Sequence, residues 1–263
     1  MITSLNPSNL LLTYLNRFFL QASIIEYFIT FLPASLILFY TFYLLWAGRR
    51  KNHKIIKLSR DALLEVFSEE FDDLIIDQES LSSNGALLSP EYKKSQTIPF
   101  KDFRVVFALE ERHLMLSVII SWFAGVNDYI ALEANAKKGK LPTKVQIIPK
   151  TEEGQIKKHQ DLLFKLDDVA LKVSKIDEFF VIKATSQRSG TYFLGEKNLL
   201  KLIYSVRNSL VRVSIDSSDD PSIRIYAKIN DQLDLEKLRT LFIALCERVD
   251  AVSEKVVMKR GRS

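Results

Sequence analysis

Residues 27–47 read YFITFLPASLILFYTFYLLWA, with no Asp, Glu, Lys or Arg, and Arg49, Arg50, Lys51 and Lys54 follow at once. A helix of about 20 apolar residues matches the hydrocarbon thickness of a bilayer. Positive charge beside such a span stays on the cytoplasmic side. These four basic residues are therefore expected to set the topology, because Arg17 and Glu26 on the other flank roughly cancel. The N-terminus is expected outside or in a lumen, and everything after Gly48 in the cytosol. A signal sequence fits worse, since its charged region precedes the apolar one. A buried helix of a soluble core also fits worse: Phe39, Tyr40, Phe42, Tyr43 and Trp46 resemble an interfacial aromatic belt. Pro33 lies inside the span, where a freed carbonyl can be satisfied by neighbours. Thr30, Ser35 and Thr41 are hydroxyls of the kind that line helix–helix contacts.

Outward from the span, residues 1–22 form a short amphipathic lead, read as a helix lying in the outer interface. Residues 23–48 are the transmembrane helix and 49–75 a juxtamembrane amphipathic helix, with Ile56, Leu63 and Phe67 at helical spacing. Residues 76–98 (IDQESLSSNGALLSPEYKKSQTI) read as a linker or loose loop. Residues 99–258 form a cytosolic α+β domain, and 259–263 a basic tail.

Within that domain, Phe103–Leu109 reads as a buried strand and Glu111–Phe123 as a helix. Asn127–Ala134 and Lys144–Ile148 read as a hairpin joined by NAKKGKLPT. Ile156–Val173 is expected helical, Phe179–Ala184 a strand and Asn198–Asn208 a helix. Val211, Val213 and Ile215 alternate with Arg212, Ser214 and Asp216. Ile223, Ile225, Ala227 and Ile229 alternate with Arg224, Tyr226 and Lys228. With SSDDPS between them, these are an antiparallel hairpin with one wet face. Leu235, Leu238, Phe242, Leu245, Val249, Val252 and Val256 mark a long last helix. Three heptads of this stripe fit a short coiled coil, but a helix packed on the sheet is preferred. The fold class is α+β: one membrane helix, then a mixed or antiparallel sheet covered by helices.

The bulk numbers exclude little. A chain of 263 residues, 47% hydrophobic, leaves room after the span for one domain with its own core. A net charge of +5 suits anionic lipid or nucleic acid without selecting either. The single cysteine, Cys246, rules out an internal disulfide. It lies on an apolar helical face and reads as a core residue.

Little catalytic chemistry is visible. His53, His113 and His159 lie far apart, without metal-ligand spacing. No nucleophile elbow, phosphate-binding loop or dinucleotide fingerprint occurs. Ser189-Gly190-Thr191 and Gly195 read as a hairpin turn, and Asp72-Asp73, Asp167-Asp168 and Asp219-Asp220 as solvated acids. No catalytic residue, cofactor, metal or small-molecule substrate is assigned. The basic segments are more informative: Lys137, Lys138, Lys140 and Lys144 would project a cationic tip, and Lys255, Lys259, Arg260 and Arg262 end the chain. Phosphates of ribosomal RNA or of lipid headgroups are natural partners.

The order of features resembles the calumin family, the coiled-coil-domain membrane proteins that partner Asterix in the PAT complex. The residues concerned are GRRKNHKIIKLSRDALLEVF, FRVVFALEERHLMLSVIISWF, DYIALEANA and LEKLRTLFIALCERVDAVSEKVVMKRGR. The chain is similar to a short, archaeal-like form of that family, without its long acidic luminal segment and lysine- and glutamate-rich tail. The luminal calcium binding of that segment is therefore not carried over. The resemblance implies a non-enzymatic helper of membrane-protein insertion and folding beside the translocon and ribosome. Its partners would be insertase components, an Asterix-like small membrane protein and ribosomal RNA. Its membrane would be the endoplasmic reticulum in a eukaryote or the plasma membrane in an archaeon. The competing expectations are a membrane-anchored protein-interaction domain that never touches the ribosome, and an enzyme at the membrane surface, for which no residue is nominated.

Overall fold

The computed structural model describes residues 7–82, 84–93, 98–110, 127–139, 141, 143–159 and 166–260, with backbone alone at 7–25, 27, 28, 30, 44, 155–159 and 256–260. The first element is one helix, α1 (Pro7–Val66), of 60 residues with Pro33 inside it. At 1.5 Å per residue it is about 90 Å long. The expected interfacial lead, span and juxtamembrane helix are thus one unbroken backbone helix.

Every side chain from Phe31 to Tyr40 is exposed, on all sides of the helix. Phe39 is 72% exposed and Trp46 55%. A soluble helix buries an apolar stripe against its neighbours. Here the apolar surface is bare all round, and the helix is long and apolar enough to cross a bilayer. Six residues past Trp46 the pattern changes: Asn52, Ile56, Leu63 and Phe67 are all at most 2% exposed. The second half of α1 is therefore part of the folded domain, which begins before residue 60 rather than near residue 99.

The strands are β1 (Phe71–Ile76), β2 (Gly85–Tyr92), β3 (Phe100–Ala108), β4 (Tyr129–Ala136), β5 (Val145–Pro149), β6 (Asp167–Asp168), β7 (Phe180–Ala184), β8 (Leu210–Ile215) and β9 (Ile223–Lys228). They form one sheet in the order β1-β2-β3-β4-β9-β8-β5-β7-β6, and every pairing is antiparallel. Residues 71–75, expected in the juxtamembrane helix, are strand, and the expected linker carries β2. The loop-like composition around Ser82–Gly85 is the turn of the β1–β2 hairpin, where the Ser82 amide donates to the Gly85 carbonyl at 2.9 Å.

Alternation sorts the two faces by register. Leu88, Val105, Leu132, Ile225, Val213, Ile147 and Ile182 are successive cross-strand partners over seven strands, and each is at most 3% exposed. One residue along, the row is Arg104, Glu133, Arg224, Ser214, Gln146, Lys183 and Asp168. A single-residue slip would exchange the two rows, so the register is strongly specified. The bulge between Leu210 and Arg212 puts Leu210 in the core and leaves Val211 only partly buried. The opposite face is not wet as expected: Glu133, Gln146, Ser214 and Lys183 are each under a tenth exposed.

The remaining helices are α2 (Lys150–His159), α3 (Ser174–Phe179), α4 (Gln187–Leu194), α5 (Lys197–Ser205) and α6 (Leu235–Arg260). The last buries Leu238, Leu241, Phe242, Leu245, Cys246, Val249 and Val252, so its stripe packs into the domain core. Phe67 and Phe71 stack at 5.4 Å and both meet Phe103, which in turn meets Phe242, linking the end of α1 through β1 and β3 to α6.

Three further expectations are corrected. The segment expected as a helix over 156–173 is described as helix to His159 and carries β6 at Asp167–Asp168, with residues 160–165 outside the described residues. The Ser189-Gly190-Thr191 segment is in α4, started by a Ser186 capping box with Ser189 rather than by a hairpin turn. A Cβ on Gly190 would stand 2.6 Å from Val169 Cγ2, so only glycine lets α4 approach this closely. Third, β4 and β5 do not pair: β9 and β8 lie between them. The expected helix over 111–123 lies outside the described residues.

Candidate functional site

Since β4 and β5 are three strand spacings apart, the connection between them, described at residues 137–139, 141, 143 and 144, is a strap across the sheet end, spanning about 14 Å. The strap is seated, not projecting. The Lys138 amide donates to Asp250 Oδ1 of α6 at 2.8 Å, and Leu141 is buried. A Cβ on Gly139 would lie 2.8 Å from the Ser253 Cβ. The Thr143 hydroxyl donates to Ser189 Oγ at 2.9 Å, and the Lys144 amide to Thr185 Oγ1 at 2.9 Å.

These contacts change the reading of the four lysines. Lys138 Nζ pairs with Glu254 at 3.2 Å. Lys144 Nζ pairs with Asp216 at 2.6 Å and donates to Ser218 Oγ. Burial alone would raise the Asp216 carboxyl, but Lys144 and the Ser218 hydroxyl and amide outweigh it and hold it below its ordinary value. Lys137 is exposed, and Lys140 lies outside the described residues. Lys255 is exposed one residue past Glu254. The backbone of Lys259 and Arg260 completes α6, and Arg262 lies outside the described residues. The strap and the far half of α6 therefore share one mixed surface in which Asp250 and Glu254 offset part of the positive charge.

The juxtamembrane cluster lies at the other end. Asn52 donates to the Glu110 carbonyl at 3.0 Å, and the Glu110 amide to Asp128 Oδ1 at 2.8 Å. The strap leaves the opposite end of β4, whose eight residues span about 25 Å. The two basic regions are therefore separate. Arg49, Arg50, Lys51 and Lys54 are exposed. Among the described residues no carboxylate pairs with them. Arg104, Arg224, Arg239 and Arg248 of the sheet domain are all paired.

Two features combine residues too distant in sequence to form a motif. On the polar sheet face, Arg104 pairs with Glu133 at 2.7 Å, and Arg224 with Asp219 at 3.0 Å. The Arg212 Nε donates to Gln146 Oε1 at 2.7 Å, and burial pulls the Arg212 guanidinium below its ordinary value. A cleft of about 380 Å³ opens where α2 meets the ends of β5, β7, β8 and β9. Arg207 stacks over Tyr204 on its wall, and Lys228 pairs with Glu152 at 2.7 Å. Its charges are thus already matched or backed by aromatic rings. Among the described residues no three His, Cys, Asp or Glu side chains converge on a metal-sized site.

No protein-family model matches the chain, and no curated protein matches it significantly.

Proposed function

We propose that this protein is a non-enzymatic, single-pass membrane scaffold that holds its α+β domain at a fixed height and orientation beside the bilayer. One observation carries the reading: the helix that bears the bare apolar run also places Asn52, Ile56 and Leu63 in the domain core. With no linker between span and domain, a force or partner acting on one is felt by the other. The resemblance to the calumin family supplies the setting: assistance to membrane-protein insertion and folding beside translocon, insertase components and an Asterix-like partner. The domain would face the cytosol, with Lys137, Lys255 and the basic end of α6 toward ribosomal RNA.

A specific observation favours a second version, a protein-docking domain without ribosome contact. Lys138 and Lys144 are held by Glu254 and Asp216, which lowers the charge available to RNA. Co-sedimentation of detergent-solubilised protein with ribosomes across a salt series separates the two. Association that fades with salt supports the insertion helper, since phosphate contacts release counterions. No association even at low salt leaves the protein-docking scaffold. Extraction of the protein from membranes by alkaline carbonate would overturn both.

A further inference from the structure

We propose that one face of α1 at the boundary of the span binds the headgroup of an anionic phospholipid, an inference that rests on α1 crossing a bilayer. Phe42, Leu45, Trp46, Arg49, Arg50 and His53 line a shallow groove there. Its lower wall is apolar and its upper wall cationic, the same order as acyl chain and phosphate in a lipid. The Arg50 guanidinium lies over the Trp46 ring, 4.0 Å from its centroid. This stacking fixes the arginine while leaving its edge donors free, and indole belongs at headgroup depth.

Charge complementarity selects the occupant. Arg49 and Arg50 have no carboxylate partner among the described residues, whereas Arg60, Arg104, Arg224, Arg239 and Arg248 are paired. Guanidinium recognises phosphate oxygens in a two-pronged fashion. The groove begins within the apolar run, so its lower half is reached from the bilayer rather than from water. That favours lipid over RNA.

At 100° per residue, Phe42, Arg49, Arg50 and His53 all lie within about 60° of Trp46 round the helix. Lys51 lies about 140° away and Lys54 about 80°. A site on this face therefore depends on the two arginines, whereas diffuse attraction to a negative surface would count all four charges equally.

The test uses the full chain with Trp122→Phe, leaving Trp46 as the sole tryptophan, in liposomes with equal fractions of brominated lipid. The lipid is either phosphatidylglycerol or phosphatidylcholine. Stronger quenching by the brominated anionic lipid is expected. Arg49→Gln/Arg50→Gln should lower that preference by about fivefold per arginine, while Lys51→Gln/Lys54→Gln retains most of it. Equal quenching by both lipids overturns the headgroup site but leaves the anchor in place. Quenching by neither overturns the anchor and the site together. Equal loss in the two double variants reduces the cluster to diffuse attraction and overturns the proposal. So does ribosome co-sedimentation in neutral lipid that is lost only with Arg49→Gln/Arg50→Gln, which assigns the face to RNA. Should Trp122→Phe not fold, native mass spectrometry of the unaltered chain gives the same readout. Phosphatidylglycerol retained over phosphatidylcholine supports the site, and equal retention overturns it.

Discussion

The side-chain amide of Asn52 donates to the backbone carbonyl of Glu110 at 3.0 Å, and Asn52 is 0% exposed. This bond joins the helix leaving the apolar run to the end of β3. Glu110 is itself tied to Asp128, just before β4. The attachment is thus polar and directional, not only an apolar contact.

Asn52→Ala should therefore cost about 1–3 kcal/mol, the loss of a buried hydrogen bond together with its desolvated partner group. For a chain of this size each kcal/mol lowers the melting temperature by about 2–4 °C. Thermal unfolding in detergent, followed by circular dichroism, measures it. An unchanged melting temperature would show that the apolar contacts of Ile56 and Leu63 hold α1 alone.

Gly139→Ala should lift the strap. Its new Cβ would meet the Ser253 Cβ at 2.8 Å, and neither atom is the end of a flexible side chain. Overpacking of this kind costs about 1–3 kcal/mol. The visible effect should be faster tryptic cleavage after Lys137 and Lys138, since proteolysis follows local opening. Adding Ser253→Gly removes the opposing Cβ and should restore slow cleavage. Equal cleavage in the single variant and the parent would show that the strap is not seated on α6.

These two contacts also show what the sequence could and could not reveal. The alternation of Val213 and Ile215 and of Ile223, Ile225 and Ala227, and the 3–4 spacing from Leu238 to Val252, were legible because local period selects the buried face, whereas the bulge that buries Leu210 in place of Val211 was not. The antiparallel hairpin and the packed last helix followed. The pairing of β4 was not legible: its neighbour β9 begins at Ile223, some 90 residues later, while the loop composition of residues 135–143 mimics a hairpin turn. The β1–β2 hairpin was hidden by its Ser- and Asn-rich turn. The basic residues were legible as charge but not as free charge. Asp250, Glu254 and Asp216, which engage the strap, lie 72 to 116 positions further along the chain. The cluster at Arg49 and Arg50 has no such distant carboxylate partner among the described residues.

Asp216 should give the acid limb of stability a measurable part. Burial opposes its charge, but Lys144 and Ser218 hold its carboxyl below the ordinary value in the fold. It therefore binds its proton less readily folded than unfolded. Its contribution is present above the ordinary carboxylate range, near about 4, and is lost as pH falls through and below that value. Asp216→Asn should cost about 1 kcal/mol at neutral pH, a modest figure because Lys144 is half-exposed and screened. Urea titrations should show the difference shrink as pH falls below the ordinary carboxylate range. A difference that persists there would assign the effect to packing instead of charge.

Cys246 offers a reporter of global opening. It is the single cysteine, 0% exposed on the inner face of α6. Burial, then the charges of Asp250 and Glu247, push its thiol well above the ordinary value. Both effects suppress the reactive thiolate, so a thiol reagent reaches it only after α6 leaves the core. With about 5 kcal/mol or more holding the domain together, labelling of the native protein should be at least about a thousandfold slower than in denaturant. Because Asp250 also anchors the strap, Asp250→Ala should speed labelling in two ways, by loosening the end of α6 and by removing a charge that raises the thiol. Labelling that is fast in the native protein would place Cys246 at a surface and overturn the packing of α6 on the sheet.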